Sequence, residues 1–475
     1  MNRSSFDLLN LSKDGITMDA ELLARLQFAL TIGFHFIFPS ITIGLAWFNV
    51  WFMTRYHRSD DPNDRALARF WIKLFTLTFA MGVATGLVMA LQFGTNWSSY
   101  ARVVGDIFGA PLAAEAILAF FLESTFLAVL VAGWDRVSKR TMWFSSLMVA
   151  FGATLSGFWI IVANSWMQTP RGYEKVPAGA DSANLEKVVL TDFWAAVFNP
   201  TTIPRFLHTI NGALLTGSFF VMGISAFYLL RKQHREFAKK SIKAALILAF
   251  ITSLAQPAFG HYQGGQVAEY QPEKWATMEL IDESGKGAKM PIFAILDPST
   301  EEPIIRIDVP IPDALGTIML LDPDKDFVGR NDYNEDDLPP LALTFYSTHL
   351  MIALGGFFLL FSIIGLLLWW KGKLFEDKPY SKYYLIVGVL AIPLPVIAME
   401  LGWIAAEVGR QPWAVYHVLR TSDAVSASVP ADQILLSIIV FTLIYAVLFV
   451  LWILLMVKEI QKGPQLGEPV KAEEV

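Results

Sequence analysis

Apolar residues along this chain come in long runs rather than in strict alternation. A helix needs about 20 mostly apolar residues to cross a bilayer. Nine stretches qualify: 21–53, 67–92, 112–133, 142–166, 204–230, 240–258, 341–370, 383–405 and 432–457. Short polar connections separate them, except at 259–340, the longest stretch without a span. The pattern predicts an all-α polytopic membrane protein, a bundle of about nine transmembrane helices. It divides the chain into 1–258 with six spans, an outward loop at 259–340, and 341–475 with three spans and a tail.

Charge gives the bundle a direction. Arg55, Arg58 and Arg65 follow the first span, and Arg136, Lys139 and Arg140 the third. Arg231, Lys232, Arg235, Lys239 and Lys240 follow the fifth, Lys371, Lys373, Lys378 and Lys382 the seventh, and Lys458 and Lys462 the ninth. Loops rich in Lys and Arg stay in the cytoplasm, so the N-terminus is expected outside and the C-terminus in the cytoplasm. Residues 1–18, with Arg3, Lys13 and Asp14, lack the basic-then-apolar order of a signal peptide, so the first span is expected to be retained. The 259–340 loop then faces outward; it carries 17 Asp+Glu against 6 Lys+Arg. A loop of that length is usually functional or disordered. Its start, from Gly260 to Glu279, reads as structured, and the acidic part from Asp322 onward as solvated surface.

Composition narrows the chemistry. Charged residues make up 17% and the mean hydropathy is +0.45, against about 25% charged in soluble domains. The net charge of −6 gives no reason to expect nucleic acid. With no cysteine, disulfides, thiolate metal sites, iron–sulfur clusters and c-type haem attachment are excluded. A bound metal must use His, Met or carboxylate.

Ionisable groups inside spans are costly and mark function. Glu407 ends the eighth span just before Gly409-Arg410-Gln411-Pro412-Trp413. Gly409 permits a tight turn, Pro412 stops the helix, and Arg410 offers a fork of donors for a carboxylate such as a haem propionate. Glu115 and Glu123 lie in the third span, about 12 Å apart along the axis, with no basic residue in that span. Two carboxylates in file suggest a proton path, a metal ligand or both. Glu400 precedes Glu407 by two turns on nearly the same face. Of the seven histidines, His57 and His234 fall in basic loops and read as solvated. His35 sits midway along the first span among aromatics, His208 opens the fifth, and His349 and Met351 lie in the seventh. Axial His with Met is a known haem pair, and His208 and Met351 can reach similar depth if their faces meet. Two histidines on one helix, the pattern of bis-histidine b-type cytochromes, are absent; one His per helix with carboxylates fits open or weak axial positions.

Together these motifs resemble subunit I of the cytochrome bd-type quinol oxidases. The likeness runs from Ala24-Arg25-Leu26-Gln27 through Gly109 to Glu115, Phe120 to Phe126, Gly133 to Arg136 and Val162 to Gln168, and ends at Gly409 to Trp413. The resemblance implies three haems: a low-spin haem b, a high-spin haem b, and a haem d or further haem b. It implies electron transfer from membrane quinol to dioxygen, giving water. His208 and Met351 would ligate the low-spin haem, and His35 and Glu407 the two high-spin haems. Glu115 would lie close to the oxygen-reactive iron, and Glu115 and Glu123 on the proton route. Lys274 and Glu279 match the quinol-binding part of the outward loop. Expected partners are a second multi-helix subunit (subunit II) and a small single-helix subunit, in a bacterial or archaeal cytoplasmic (inner) membrane. Two departures stand out. His349 replaces an Arg that often precedes the methionine ligand by two residues; it would neutralise a propionate only when protonated. The loop also lacks the long extension of some members, placing the chain with the short-loop group.

A secondary transporter with intramembrane carboxylates is the alternative, but paired repeats and broken helices are not found in the sequence. A relay subunit that only anchors haem would not need Glu115, Glu123 and Glu407.

Overall fold

The long apolar runs fold as helices because a backbone in lipid must satisfy its own N–H and C=O groups. In the computed structural model, residues 9–12, 15–59, 61–177 and 186–465 are described. Arg3, Lys13 and Asp14, on which the signal-peptide reading rests, lie outside them. In chain order the main helices are α1 (Ala20–Ser59), α2 (Pro62–Gln92), α3 (Ser98–Ala114), α4 (Phe121–Ala132), α5 (Lys139–Gln168), α6 (Phe193–Val197), α7 (Thr202–Leu230), α8 (Arg235–Tyr270), α9 (Pro272–Met278), α10 (Leu341–Trp370), α11 (Pro379–Leu390), α12 (Leu394–Val408), α13 (Thr421–Ala424) and α14 (Ala431–Lys462). Among the described residues eight helical segments are long and apolar enough to span, or nine if α11 and α12 form one broken span. The expected all-α membrane bundle is therefore present.

Two spans are not plain helices. Between α3 and α4 the chain makes a wide π-helical turn, Glu115–Phe120, so the third span runs from Ser98 to Ala132. The eighth span bends by 42° between α11 and α12, where Pro393 and Pro395 remove backbone donors and crowd the preceding carbonyls. This corrects the reading of the sequence as free of broken helices. The sixth span, expected to end at 258, continues as α8 to Tyr270, because a helix need not stop where its apolar stretch does.

Water does not drive helices together inside lipid, so close packing must. α1 is central, touching α2, α5, α7, α12 and α14. It crosses α7 at Gly44 and Gly217, where a Cβ on Gly44 would lie 2.8 Å from the Gly217 Cα. Only glycine fits that crossing.

The basic loops gather at one end. Lys240 reaches Asp64 (2.7 Å) and Lys232 reaches Asp377 (2.8 Å). Arg65 pairs with Asp135, and Lys73 with Glu459 near the end of α14. At the other end lie the start of α1, the ends of α5, α8 and α12, and the 271–340 loop. That loop begins with α9 and contains an antiparallel ribbon, β5 (Pro291–Leu296) with β6 (Pro303–Asp308). Three other short ribbons are β1 (Leu9–Ser12) with β2 (Gly15–Met18), β3 (Tyr173–Val176) with β4 (Lys187–Leu190), and β7 (Trp413–Val415) with β8 (Leu419–Arg420).

Candidate functional site

Most of the candidate residues converge toward the loop end. α12 delivers Glu407 there, and the turn after it brings Arg410 back onto the same carboxylate. Glu407 Oε1 accepts from Asn164 Nδ2 (2.7 Å) and Gln168 Nε2 (3.2 Å), both on α5. Its Oε2 accepts from Arg410. Arg205, in the first turn of α7, donates to Asn164 Oδ1. Gln168 is the hub: its Oε1 accepts from Gln271 Nε2 (2.9 Å) and Lys274 Nζ (3.3 Å). Lys274 Nζ also donates to Ala406 O (2.8 Å), one of the last carbonyls of α12, where a helix favours a donor. Burial pushes the Lys274 ammonium well below its ordinary value; Arg205 and Arg410 add to this while Glu407 opposes it.

His208 and Met351 belong to a four-helix group of α7, α8, α10 and α12. α7 and α12 run in opposite directions. Gly212, one turn after His208, abuts Met399 Sδ, while Gly402, one turn after Met399, abuts Met351 Sδ. These two contacts level His208 with Met351 across α12. Gln256 Nε2 lies 3.3 Å from each His208 ring nitrogen, and Gly260 leaves room for the ring.

His35 is held from α2. Thr85 Oγ1 spends its proton on Met81 O (2.9 Å) and lies 3.0 Å from His35 Nδ1. With the Thr85 hydroxyl donating to Met81 O it accepts from His35, the arrangement in which Nδ1 carries the hydrogen and Nε2 is free to bind a metal. Gly33, two residues earlier, faces Glu400, whose Oε1 is buried without a protein partner.

Glu115 opens the π-helical turn, and its Oε1 accepts from Ser156 Oγ (2.8 Å). Glu123 is buried against Gly152, one turn away on α5. The wide turn lays both residues against α5, Glu115 through its carboxylate and Glu123 through its backbone and Cβ.

His349 turns to the loop rather than along α10: Nδ1 lies 3.1 Å from Phe345 O and Nε2 3.1 Å from Pro291 O of β5. Glu279 sits beyond α9 near Arg306, and burial pushes its carboxyl up to about 7. Lys274 and Glu279 therefore leave α9 toward different neighbours.

The haems implied by the motifs need donors of the right type, cations for propionates, and room. Imidazole and thioether donors are present at one depth. Arg410 Nε and Nη1 are buried with no protein partner, although an unpaired buried guanidinium nitrogen is costly. Gly355 and Gly356, about a turn from Met351, face open space, where a Cβ would meet nothing within 4 Å. The residues fit such a group. Among the described residues no cluster of three or more His or carboxylates suits a bare metal ion.

Sequence reasoning singled out neither Arg205, Asn164 nor Gln168 as site residues. An Arg in the first turn of a span was the available signal; the two amides gave none beyond their place in a motif.

Comparison with known proteins agrees with this geometry. Residues 23–464 match the family model described as cytochrome bd terminal oxidase subunit I. The chain is 38% identical to cytochrome bd ubiquinol oxidase subunit 1 of Bacillus subtilis (strain 168), covering 94% of this chain and 95% of that one. It is 34% identical to cytochrome bd-II ubiquinol oxidase subunit 1 of Escherichia coli (strain K12), covering 93% and 96%. The bd oxidase structure from Geobacillus thermodenitrificans superposes with a TM-score of 0.84 at 29% identity, covering 94% of this chain and 99% of that one. The chain belongs to the cytochrome bd terminal oxidase subunit I family, a quinol:oxygen oxidoreductase of the membrane.

Proposed function

We propose that this chain is the haem-bearing catalytic subunit of a respiratory terminal oxidase. It oxidises membrane quinol at its outer, loop end and reduces dioxygen to water with cytoplasmic protons. Protonmotive force then comes from sidedness, without a pump. The observation that carries the reading is the levelling of His208 with Met351 through Gly212–Met399 and Gly402–Met351. His208 and Met351 would hold one low-spin haem b there, a donor pair of a type that raises the reduction potential.

His35 and Glu407 would hold the two high-spin haems, and Glu115 would serve the oxygen-reactive one. Bound haem supplies one-electron transfer and the place where dioxygen is reduced; the protein does the rest. Arg410 and Arg205 hold negative charge at the loop end; His349, expected from the sequence to join them when protonated, is instead engaged by the carbonyls of Phe345 and Pro291. Glu123 takes a proton from the basic end and passes it to Glu115, whose position Ser156 fixes. Lys274 and Glu279 serve the quinol side. The gathering of basic loops at one end supports a cytoplasmic C-terminus and an outward 271–340 loop. A second multi-helix subunit (subunit II) and a small single-helix subunit complete the complex in a cytoplasmic (inner) membrane.

A reduced-minus-oxidised visible spectrum of the purified complex, with extracted haem counted per chain, tests this. About three haems per chain with a far-red chlorin band establish haem d at the oxygen site. Three without that band make all of them b-type. One or none overturns the oxidase mechanism.

A further inference from the structure

An open cleft of about 210 Å³ lies at the loop end, apart from Lys274 and Glu279. Gln168 forms its floor; Arg171, Tyr173, Tyr270, Tyr416 and His417 wall it. Its chemistry is distinctive. Tyr416 and His417 stack at 4.1 Å with 17° between planes. Tyr416 donates its hydroxyl hydrogen to Glu273, and His417 Nε2 lies 3.4 Å from the other oxygen of that carboxylate. A cavity of about 150 Å³ accepts benzene, so this one accepts a single substituted six-membered ring between aromatic walls.

The floor connects to the site described above. Gln168 touches Glu407 (3.2 Å) and Lys274 (3.3 Å). Lys274 and Glu279 are only 3% and 5% exposed, so a headgroup arriving from outside meets the cleft before either of them. The side chain of His417 is 55% exposed and can return a proton to water.

We propose that this cleft is the entry subsite for the quinol headgroup, and that His417, held by Glu273, accepts the protons of its hydroxyls. The inference rests on the quinol-oxidase reading above. Both quinol O–H bonds break as the ring becomes a quinone. Two electrons leave the ring, for which bound haem would be the acceptor and dioxygen the final oxidant, and two protons leave in turn through His417 to outer water.

His417 also provides a clean variant. Its φ of +54° lies in the left-handed region where glycine is at ease, so His417→Gly removes the imidazole without straining the hairpin. The purified complex is first checked for haem content and for oxidation of a short-chain quinol by the unaltered protein. In His417→Gly the KM for that quinol is expected to rise about tenfold, the loss of one charge-assisted hydrogen bond. Calorimetric binding of the corresponding quinone weakens by the same factor. Glu273→Gln, which still accepts from Tyr416, lowers kcat instead. If His417→Gly loses haem, His417→Asn, also tolerated in that backbone region, is measured in its place. Unchanged KM, quinone binding and kcat in both variants overturn the cleft assignment while leaving the oxidase intact. Failure of the unaltered complex to oxidise quinol overturns the quinol-oxidase reading itself.

Discussion

Ser156 on α5 donates to Glu115 at 2.8 Å, at the point where the third span changes from α to π winding. π-helical turns inside α-helices are frequent at functional sites. Here the turn aims Glu115 at Ser156 while Glu123, eight residues later, packs against Gly152. The two residues thus meet α5 at successive points along one span.

Glu123→Gln keeps the side chain's shape and removes the proton carrier proposed above. Turnover should fall at least tenfold, in the range seen when a positioned acid or base is lost, while haem per chain stays at the unaltered level. Oxygen consumption and extracted haem, measured on one preparation, check this. Normal turnover removes Glu123 from the route.

Gly402→Ala places a Cβ 2.8 Å from Met351 Sδ. The thioether can swing aside, so stability should drop by only about 1–3 kcal/mol, as for a mildly overpacked core. The low-spin band of the reduced spectrum should shift or vanish while other bands persist. An unaltered spectrum would show that Met351 is not a ligand.

Glu279 gives the loop a pH dependence. Its carboxyl is raised by burial from 4.5 to about 7, so the folded form binds the proton more tightly than the unfolded chain. The fold is then undisturbed below pH 4.5, loses stability as the pH rises toward 7, and bears the full cost above it. That cost is on the order of 3 kcal/mol from the size of the shift. Glu279→Gln should match the unaltered protein at pH 4.5 and melt at a higher temperature at pH 8. Equal melting curves at both values would count against burial as the cause.

The absence of cysteine makes sidedness simple to measure. Lys325→Cys, in the acidic loop, and Lys371→Cys, after the seventh span, are both exposed positions. In intact cells a membrane-impermeant thiol reagent should label the first and not the second. The reverse pattern would invert the topology proposed here.

The spans were legible because a bilayer demands a minimum apolar length, and that length is written directly into the residues. Their irregularities were less so. Pro393 and Pro395 were visible, yet proline inside a span bends some helices and not others, and the 42° bend depends on neighbouring packing. Nothing in Glu115–Phe120 announces a π-helical turn. In the site, Glu407 and Arg410 were readable together because they share one turn. Arg205, Asn164 and Gln168 come from two other spans, and Lys274 from the loop. Their meeting is a fact of helix packing, which one sequence alone does not encode locally. His349 shows the same limit: two residues from Met351, it is taken up by the carbonyl of Pro291 in β5.

The order of synthesis gives the His208–Met351 arrangement a further consequence. His208 and Gln256 emerge from the ribosome before the acidic 271–340 loop, and Met351, Gly402 and Glu407 only after it. With the topology proposed above, whatever His208 and Met351 share cannot be captured until that loop has been moved across the bilayer and the last three spans have inserted. A defect in loop export should therefore leave a fully translated chain that carries no low-spin haem.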